Sequence, residues 1–241
     1  MKIDVLFSTA TILEEYFIEK NCIVIDVLRA TSTIITALNN GAREVIPVSS
    51  FEEAIAVSKN LDKSSYLLCG ERQTRIVEGF DLGNSPLEFI TEKIKGKQII
   101  LFTSNGTKLF RLLEGAKKVW IATILNASAV ASEMAKLKEE WIIICAARDG
   151  FFDASDALCA GILISKIQQE KKESINLNDA AQLSLMFFEN SRNKIEKTLI
   201  ETDHGKILVE NDFENDIKFI SQVDLYNNLA HFRNNIITLL N

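Results

Sequence analysis

The sequence predicts an α/β fold: a three-layer α/β/α sandwich with a mostly parallel sheet and a helical C-terminal extension. Three observations carry this reading. Apolar runs of strand length alternate with amphipathic stretches of helix length as far as about Glu170. The strand runs are almost continuously apolar, which is the pattern of strands covered on both faces. Beyond about Glu170 the alternation gives way to helical stretches in succession.

Taken in order, the strand candidates are "KIDVLF", "CIVIDVL", "EVIPV", "YLLCG", "QIILFT", "KVWIATI" and "WIIICAA". The helix candidates between and after them are "TSTIITALNN", "FEEAIAVSKNL", "SPLEFITEKI", "GTKLFRLLEGA", "NASAVASEMAKLKEE" and "SDALCAGILISKIQQE". Several open on a good capping residue: Thr31 or Ser32, Ser50, Ser85, Asn126 and Ser155. "NLNDAAQLSLMFFENSRNKIEKTLIETDHGKILVEN" reads as further helices. "DFENDIKFISQVDLYNNLAHFRNNIITLL" reads as more helix with one short edge strand. The only prolines are Pro47 and Pro86, and no Pro/Gly-rich linker marks the change of pattern. Residues 1–241 therefore read as one domain whose helical extension starts at about residue 171.

The 241 residues suffice for a substantial core. At 47% apolar and 25% charged, the composition is that of an ordinary globular protein. A net charge of -6 argues against broad nucleic-acid binding, which needs a basic face. No apolar run reaches the roughly 20 residues that span a bilayer, no basic amphipathic helix suggests a membrane surface, and "MKIDVLFSTATILEEYF" lacks the pattern of a secretory signal. Cys22, Cys69, Cys145 and Cys159 are each flanked by apolar residues and form no CxxC pair, so buried free thiols in a reducing cytoplasm are expected. His204 and His231 lie near no strong motif, and surface or structural roles are expected for both. Self-association into a homo-oligomer stays open.

In an open parallel sheet, ligands bind outside the carboxyl ends of the strands. Five such ends are rich in polar groups. The second strand runs into Asp26, Arg29, Thr31, Ser32 and Thr33; the fourth into Glu71, Arg72, Asp81 and Asn84 within "GERQTRIVEGFDLGNSP". The fifth runs into "TSNGT" (Thr103, Ser104, Asn105, Gly106, Thr107), the sixth into Asn126 and Ser128, and the seventh into Arg148, Asp149, Asp153, Ser155 and Asp156. Each piece has a plain structural use as a turn, a cap or a surface pair. Their gathering at one sheet edge suggests a site. Helix N-termini and a glycine turn suit a phosphate, arginine forks grip oxyanions, and acids at the same edge suit a hard divalent cation, Mg²⁺. Together they describe metal-assisted chemistry on a phosphate ester.

Missing patterns narrow the class. There is no GxxxxGK[ST] loop and no GxGxxG after a strand. "DVLRAT" has Leu28 where the aspartyl phosphatases of the haloacid-dehalogenase type carry a second acid. There is no GxSxG elbow.

The blocks "IDVLRATSTIITALNNGAREVIPV", "CGERQTRIVEGFDLGNSP", "TSNGT" and "LNASAVA" resemble successive signatures of the 2-phosphosulfolactate phosphatase family. "CAARDG…SDALCAG" is a looser match, and "HGKIL…DFENDIKF" resembles the family's C-terminal block. The resemblance implies a Mg²⁺-dependent phosphatase acting on a small phosphorylated 2-hydroxy acid, typified by 2-phospho-3-sulfolactate. Members also occur where coenzyme M synthesis is not expected, so the resemblance does not fix the physiological substrate. One departure stands out: the family's adjacent Glu-Asp reads Ser155-Asp156 here, and Asp153, two residues earlier, is the acid that could compensate for the missing Glu.

The matching positions imply roles. Asp26, Arg29, Glu71, Arg72 and Asp81 are the catalytic candidates. Thr31, Ser32, Asn84, Thr103, Asn105, Gly106, Thr107 and Asn126 are the substrate-binding candidates. Asp26, Glu71, Asp81 and Asp156 are the metal candidates. The nucleophile is either water activated by the cation or Asp26 itself. A phosphotransferase, or a phosphometabolite-binding module without catalysis, would use the same anion site, and the missing Glu motivates the latter.

Overall fold

The computed structural model describes residues 1–103, 106–170 and 174–240, with the side chains of 106–108 left undescribed. Among the described residues eleven strands form one sheet: β1 Lys2–Leu6, β2 Asn21–Ile25, β3 Glu44–Val48, β4 Tyr66–Arg72, β5 Arg75–Ile76, β6 Gln98–Phe102, β7 Lys118–Ala122, β8 Trp141–Cys145, β9 Asn176–Leu177, β10 Ala230–Arg233 and β11 Ile236–Leu239. Their order is β5-β4-β6-β3-β11-β10-β7-β2-β8-β1-β9. All seven strands expected from the sequence are present. The central β2, β6 and β8 are buried at every position, which is why they read as unbroken apolar runs.

The helices are α1 Ala30–Asn39, α2 Phe51–Ser58, α3 Thr91–Ile94, α4 Gly106–Leu112, α5 Ala127–Leu137, α6 Ala154–Glu170, α7 Asp179–Ser191, α8 Ile195–Glu201, α9 Asp203–Glu210 and α10 Glu214–Ile220. One face of the sheet packs Cys22, Val24, Ile142 and Ile144 against Ile34, Ile35 and Leu38 of α1 and Leu109 and Phe110 of α4. The other face packs Ile23, Ile25 and Ile143 against α5 and α6, with Leu199, Leu208 and Ile217 of the C-terminal helices joining the same core. These are the three layers of the sandwich. All four cysteines are buried and free. Among the described residues no helix is long and apolar enough to cross a membrane.

The C-terminal end differs from expectation. The sequence reads 212–240 as helix with one short edge strand; α10 is that helix, but 230–239 form a hairpin in the middle of the sheet. β10 runs antiparallel to β7 (Ala230 opposite Ile121) and β11 antiparallel to β3 (Ile237 opposite Val45). Asn234 and Asn235 make the two-residue turn with φ of 52° and 62°, the left-handed geometry such hairpins favour. The hairpin joins two parallel blocks, β4-β6-β3 and β7-β2-β8-β1.

Two smaller corrections follow. "SPLEFITEKI" is a short 3-10 turn at Pro86–Glu88 and the four-residue α3, not one helix. Of the expected caps, Ser50 accepts from the Glu53 amide at 3.1 Å; Arg29 occupies the position before α1 without a side-chain cap.

Close backbone approaches set the helical extension in place. A Cβ on Gly161 would lie 2.1 Å from the Ser184 carbonyl oxygen, so α6 and α7 meet only because residue 161 has no side chain. A Cβ on Gly205 would lie 1.8 Å from the Leu199 carbonyl oxygen. Gly205 thus lets α9 start tight against the end of α8, with Thr202 capping it through a 2.9 Å bond from the Gly205 amide.

Candidate active site

A cavity of about 260 Å³ opens at the carboxyl edge of the sheet. Asp26 and Arg29 reach it from the turn after β2, Glu71, Gln73 and Thr74 from the end of β4, Asn84 from the loop beyond β5, Thr103 from β6, and Arg148 and Asp149 from β8. The helical extension supplies the remaining wall through His204, Ile207 and Asn211 of α9 and the residue that follows it.

The turn after β2 is folded by its own hydroxyls. Thr31 Oγ1 accepts from the Asp26 amide at 3.1 Å and donates to the Asp26 carbonyl at 2.9 Å. Ser32 Oγ donates to the Val27 carbonyl at 2.8 Å and lies 2.6 Å from Thr123 Oγ1. Neither hydroxyl lines the cavity; both shape the turn that presents Asp26 and Arg29. Arg29 is gripped from behind. Its Nη1 donates to Asp216 Oδ2 at 2.7 Å, its Nη2 donates to the Thr74 carbonyl at 3.3 Å, and its guanidinium lies 4.0 Å over the Phe213 ring. Ser85 Oγ donates to the other Asp216 oxygen at 2.6 Å.

Glu71 accepts from the Thr74 amide at 2.8 Å. Asn84 is buried, and among the described residues its Oδ1 has no hydrogen-bond partner. An orphaned buried oxygen beside a cavity costs free energy unless a ligand or cation satisfies it.

Behind Asp26 lies a group of buried acids. Asp156 Oδ1 accepts from the Val27 amide at 2.9 Å. Asp153 Oδ1 accepts from the Ser155 amide at 2.8 Å and its hydroxyl at 2.5 Å, while Oδ2 lies 2.9 Å from His204 Nδ1. Burial pushes Asp26 up to about 6, with His204 opposing and Asp153 adding to the shift. Burial, then the charges of Asp153 and Asp26, hold Asp156 well above the usual carboxylate range. Burial also acts to raise Asp153, but His204 and the two Ser155 donors outweigh it and hold Asp153 below that range.

Several sequence candidates lie elsewhere. Arg72 is exposed at the end of β4, opposite Arg75. Asp81 Oδ2 accepts from the Leu68 amide at 2.8 Å and sits 3.9 Å from Lys63 Nζ, away from the cavity wall. Asn126 accepts from the Thr123 amide at 2.9 Å and donates to the carbonyls of Ile121 and Asn228, both at 3.2 Å, so it ties strand to loop. Asp156 stands behind Asp26 rather than on the wall. Asn105 lies outside the described residues, as does the side chain of Thr107; the backbone of Gly106 and Thr107 belongs to α4.

His204 is the residue the sequence reading missed. It was expected to be structural or superficial, and it lines the cavity. The usable signal is its place two residues after the Thr202 cap and directly before the close-packed Gly205.

Among the described residues no three His, Cys, Asp or Glu side chains form a group able to hold a metal ion. Magnesium rarely requires one: it is commonly held by one or two carboxylates, waters and substrate phosphate. Asp26, Glu71 and the orphaned Asn84 Oδ1 offer a partial oxygen set of that kind.

Fold and site together define a three-layer α/β protein with a small cavity, lined by acids and arginines, at the carboxyl edge of its sheet. The model of the 2-phosphosulpholactate phosphatase family matches residues 6–235. A probable 2-phosphosulfolactate phosphatase of Caldanaerobacter subterraneus subsp. tengcongensis is 42% identical over 219 residues, 91% of this chain and 90% of the relative. Proteins described in the same words are 36% identical over 238 residues in Clostridium beijerinckii (99% of each chain) and 40% identical over 220 residues in Thermotoga maritima (91% of this chain, 92% of the relative). The chain belongs to the 2-phosphosulpholactate phosphatase family and is thereby a phosphoric monoester hydrolase.

Proposed function

We propose that the protein hydrolyses the phosphate ester of a small phosphorylated 2-hydroxy acid, 2-phospho-3-sulfolactate in type, giving the hydroxy acid and phosphate with the help of Mg²⁺. The observation that carries this is the meeting of Asp26, Glu71, Arg29 and Arg148 around one cavity of small-molecule size. A substrate with a phosphate and two further anionic groups needs fixed cations, and two arginines at the wall supply them. Arg29 is suited to the transferring phosphoryl group, because its fork is immobilised by Asp216 and Phe213 before substrate arrives. Arg148, which follows β8, the strand beside β2, would take a carboxylate or sulfonate.

Asp26, Glu71 and Asn84 Oδ1 are the residues that would hold the cation. Bound there, Mg²⁺ would neutralise charge on the phosphate oxygens. The chain's own part is to orient the ester, to exclude bulk water with α9, and to keep acids and arginines in fixed positions.

Phosphate release from 2-phosphosulfolactate, phosphoglycolate, phospholactate and an aryl phosphate, each with Mg²⁺ and with EDTA, tests the proposal. Mg²⁺-dependent release that favours one hydroxy-acid ester is the expected result. Mg²⁺-dependent binding of these esters without any release would replace it with the binding-module reading.

A further inference from the structure

We propose that His204, oriented by Asp153, is the proton donor to the leaving oxygen in this cavity; the inference rests on the phosphatase reading above. Asp153 is buried and directed at both oxygens: Ser155 supplies two donors to Oδ1, and His204 Nδ1 sits 2.9 Å from Oδ2. A carboxylate so placed fixes both the rotation of an imidazole ring and the nitrogen that carries its inner proton. The ring lines the same cavity as Asp26. Among the described residues its one hydrogen bond is through Nδ1, so Nε2 remains for a ligand. A histidine that merely tied α9 to the start of α6 would have no need of a cavity position.

The proton balance is simple. Water forms a bond to phosphorus while the ester P–O bond breaks. The electron pair of that bond goes to the leaving oxygen, which takes the Nε2 proton of doubly protonated His204 and departs as a neutral alcohol. The attacking water keeps both its protons, so a phosphate ester dianion yields dihydrogen phosphate. Solvent then reprotonates Nε2. In a loose phosphoryl-transfer transition state the leaving oxygen gathers most of the charge, so an alkyl ester gains most from such a donor.

The test compares two substrates on one enzyme preparation. An alkyl phosphate such as phospholactate needs the proton; p-nitrophenyl phosphate releases a stabilised phenolate without it. His204→Gln is expected to lose about 100-fold or more in kcat on phospholactate and far less on p-nitrophenyl phosphate. The ratio of the two rates is independent of how much of the variant is folded. Asp153→Asn, acting through His204 as a change of positioning, is expected to shift the ratio in the same direction. Equal losses on both esters, or no loss on either, would overturn the role of His204. A wild-type protein that hydrolyses neither ester would instead remove the phosphatase reading and this inference with it.

Discussion

Arg29 Nη1 lies 2.7 Å from Asp216 Oδ2, and each side chain is only 3% exposed. The pair joins the turn after β2 to α10, at the far end of the chain. Asp216 also takes the Ser85 hydroxyl, and Phe213 lies beneath the guanidinium. The C-terminal helices are therefore part of the site and not an appendage to it.

Removing one member of a buried pair leaves the other charge uncompensated, at a cost of about 3–5 kcal/mol. Asp216→Ala is expected to lose stability of that order in urea unfolding and to lose activity with it, because Arg29 loses its anchor. Wild-type stability in this variant would mean that the pair does not hold the helices in place.

Asp26 makes a pH-dependent contribution whose sign is fixed by its shift. Its folded value of about 6 lies above its ordinary 3.8. The folded protein therefore binds that proton more tightly than the unfolded chain does. The associated stability is complete below about pH 4 and is lost as pH rises through about 6. Asp26→Asn removes the buried charge, so the cation-free variant should be more stable than wild type at pH 7.5, by roughly 3 kcal/mol at most. Its stability should also change less between pH 4 and 6. Urea titrations across that range check both points.

A cation held by Asp26 and Glu71 would relieve the same strain. Adding Mg²⁺ should raise the melting temperature at neutral pH, and EDTA should reverse the rise. Ligand at 100 times its dissociation constant adds about 2.7 kcal/mol. Asp26→Asn should respond weakly. An identical response in wild type and variant would place any bound Mg²⁺ elsewhere.

Gly205 sets the position of its neighbour His204. A Cβ there meets the Leu199 carbonyl at 1.8 Å, so Gly205→Ala must push α9 away from α8. A loss of about 1–3 kcal/mol is expected from overpacking, together with a fall in kcat. Thermal unfolding and phosphate release measured together would show both effects.

The parts of the fold that are legible in the sequence are those set by burial. β2, β6 and β8 are covered on both faces and therefore read as continuous apolar runs. The hairpin Ala230–Leu239 was misread, although Asn234-Asn235 is a recognisable two-residue turn. Its strands are short, and the place they fill is set by a gap between two parallel blocks that only the assembled sheet reveals. The site was legible as far as strand ends could be lined up, which brought Asp26, Arg29, Glu71, Asn84 and Thr103 to one edge. Thr31, Ser32 and Asn126 share that edge but serve the backbone, and residue type alone does not separate the two uses. His204 and Asp216 were hidden because contacts across 51 and 187 positions of sequence leave no periodic trace.

The most direct measurement is phosphate release from 2-phospho-3-sulfolactate with Mg²⁺, for wild type and Asp26→Asn side by side. The account predicts steady release by wild type and a loss of about 100-fold or more in the variant, whose fold is intact or stabilised. Equal turnover by the two proteins, with unchanged dependence on Mg²⁺, would contradict the central place given to Asp26.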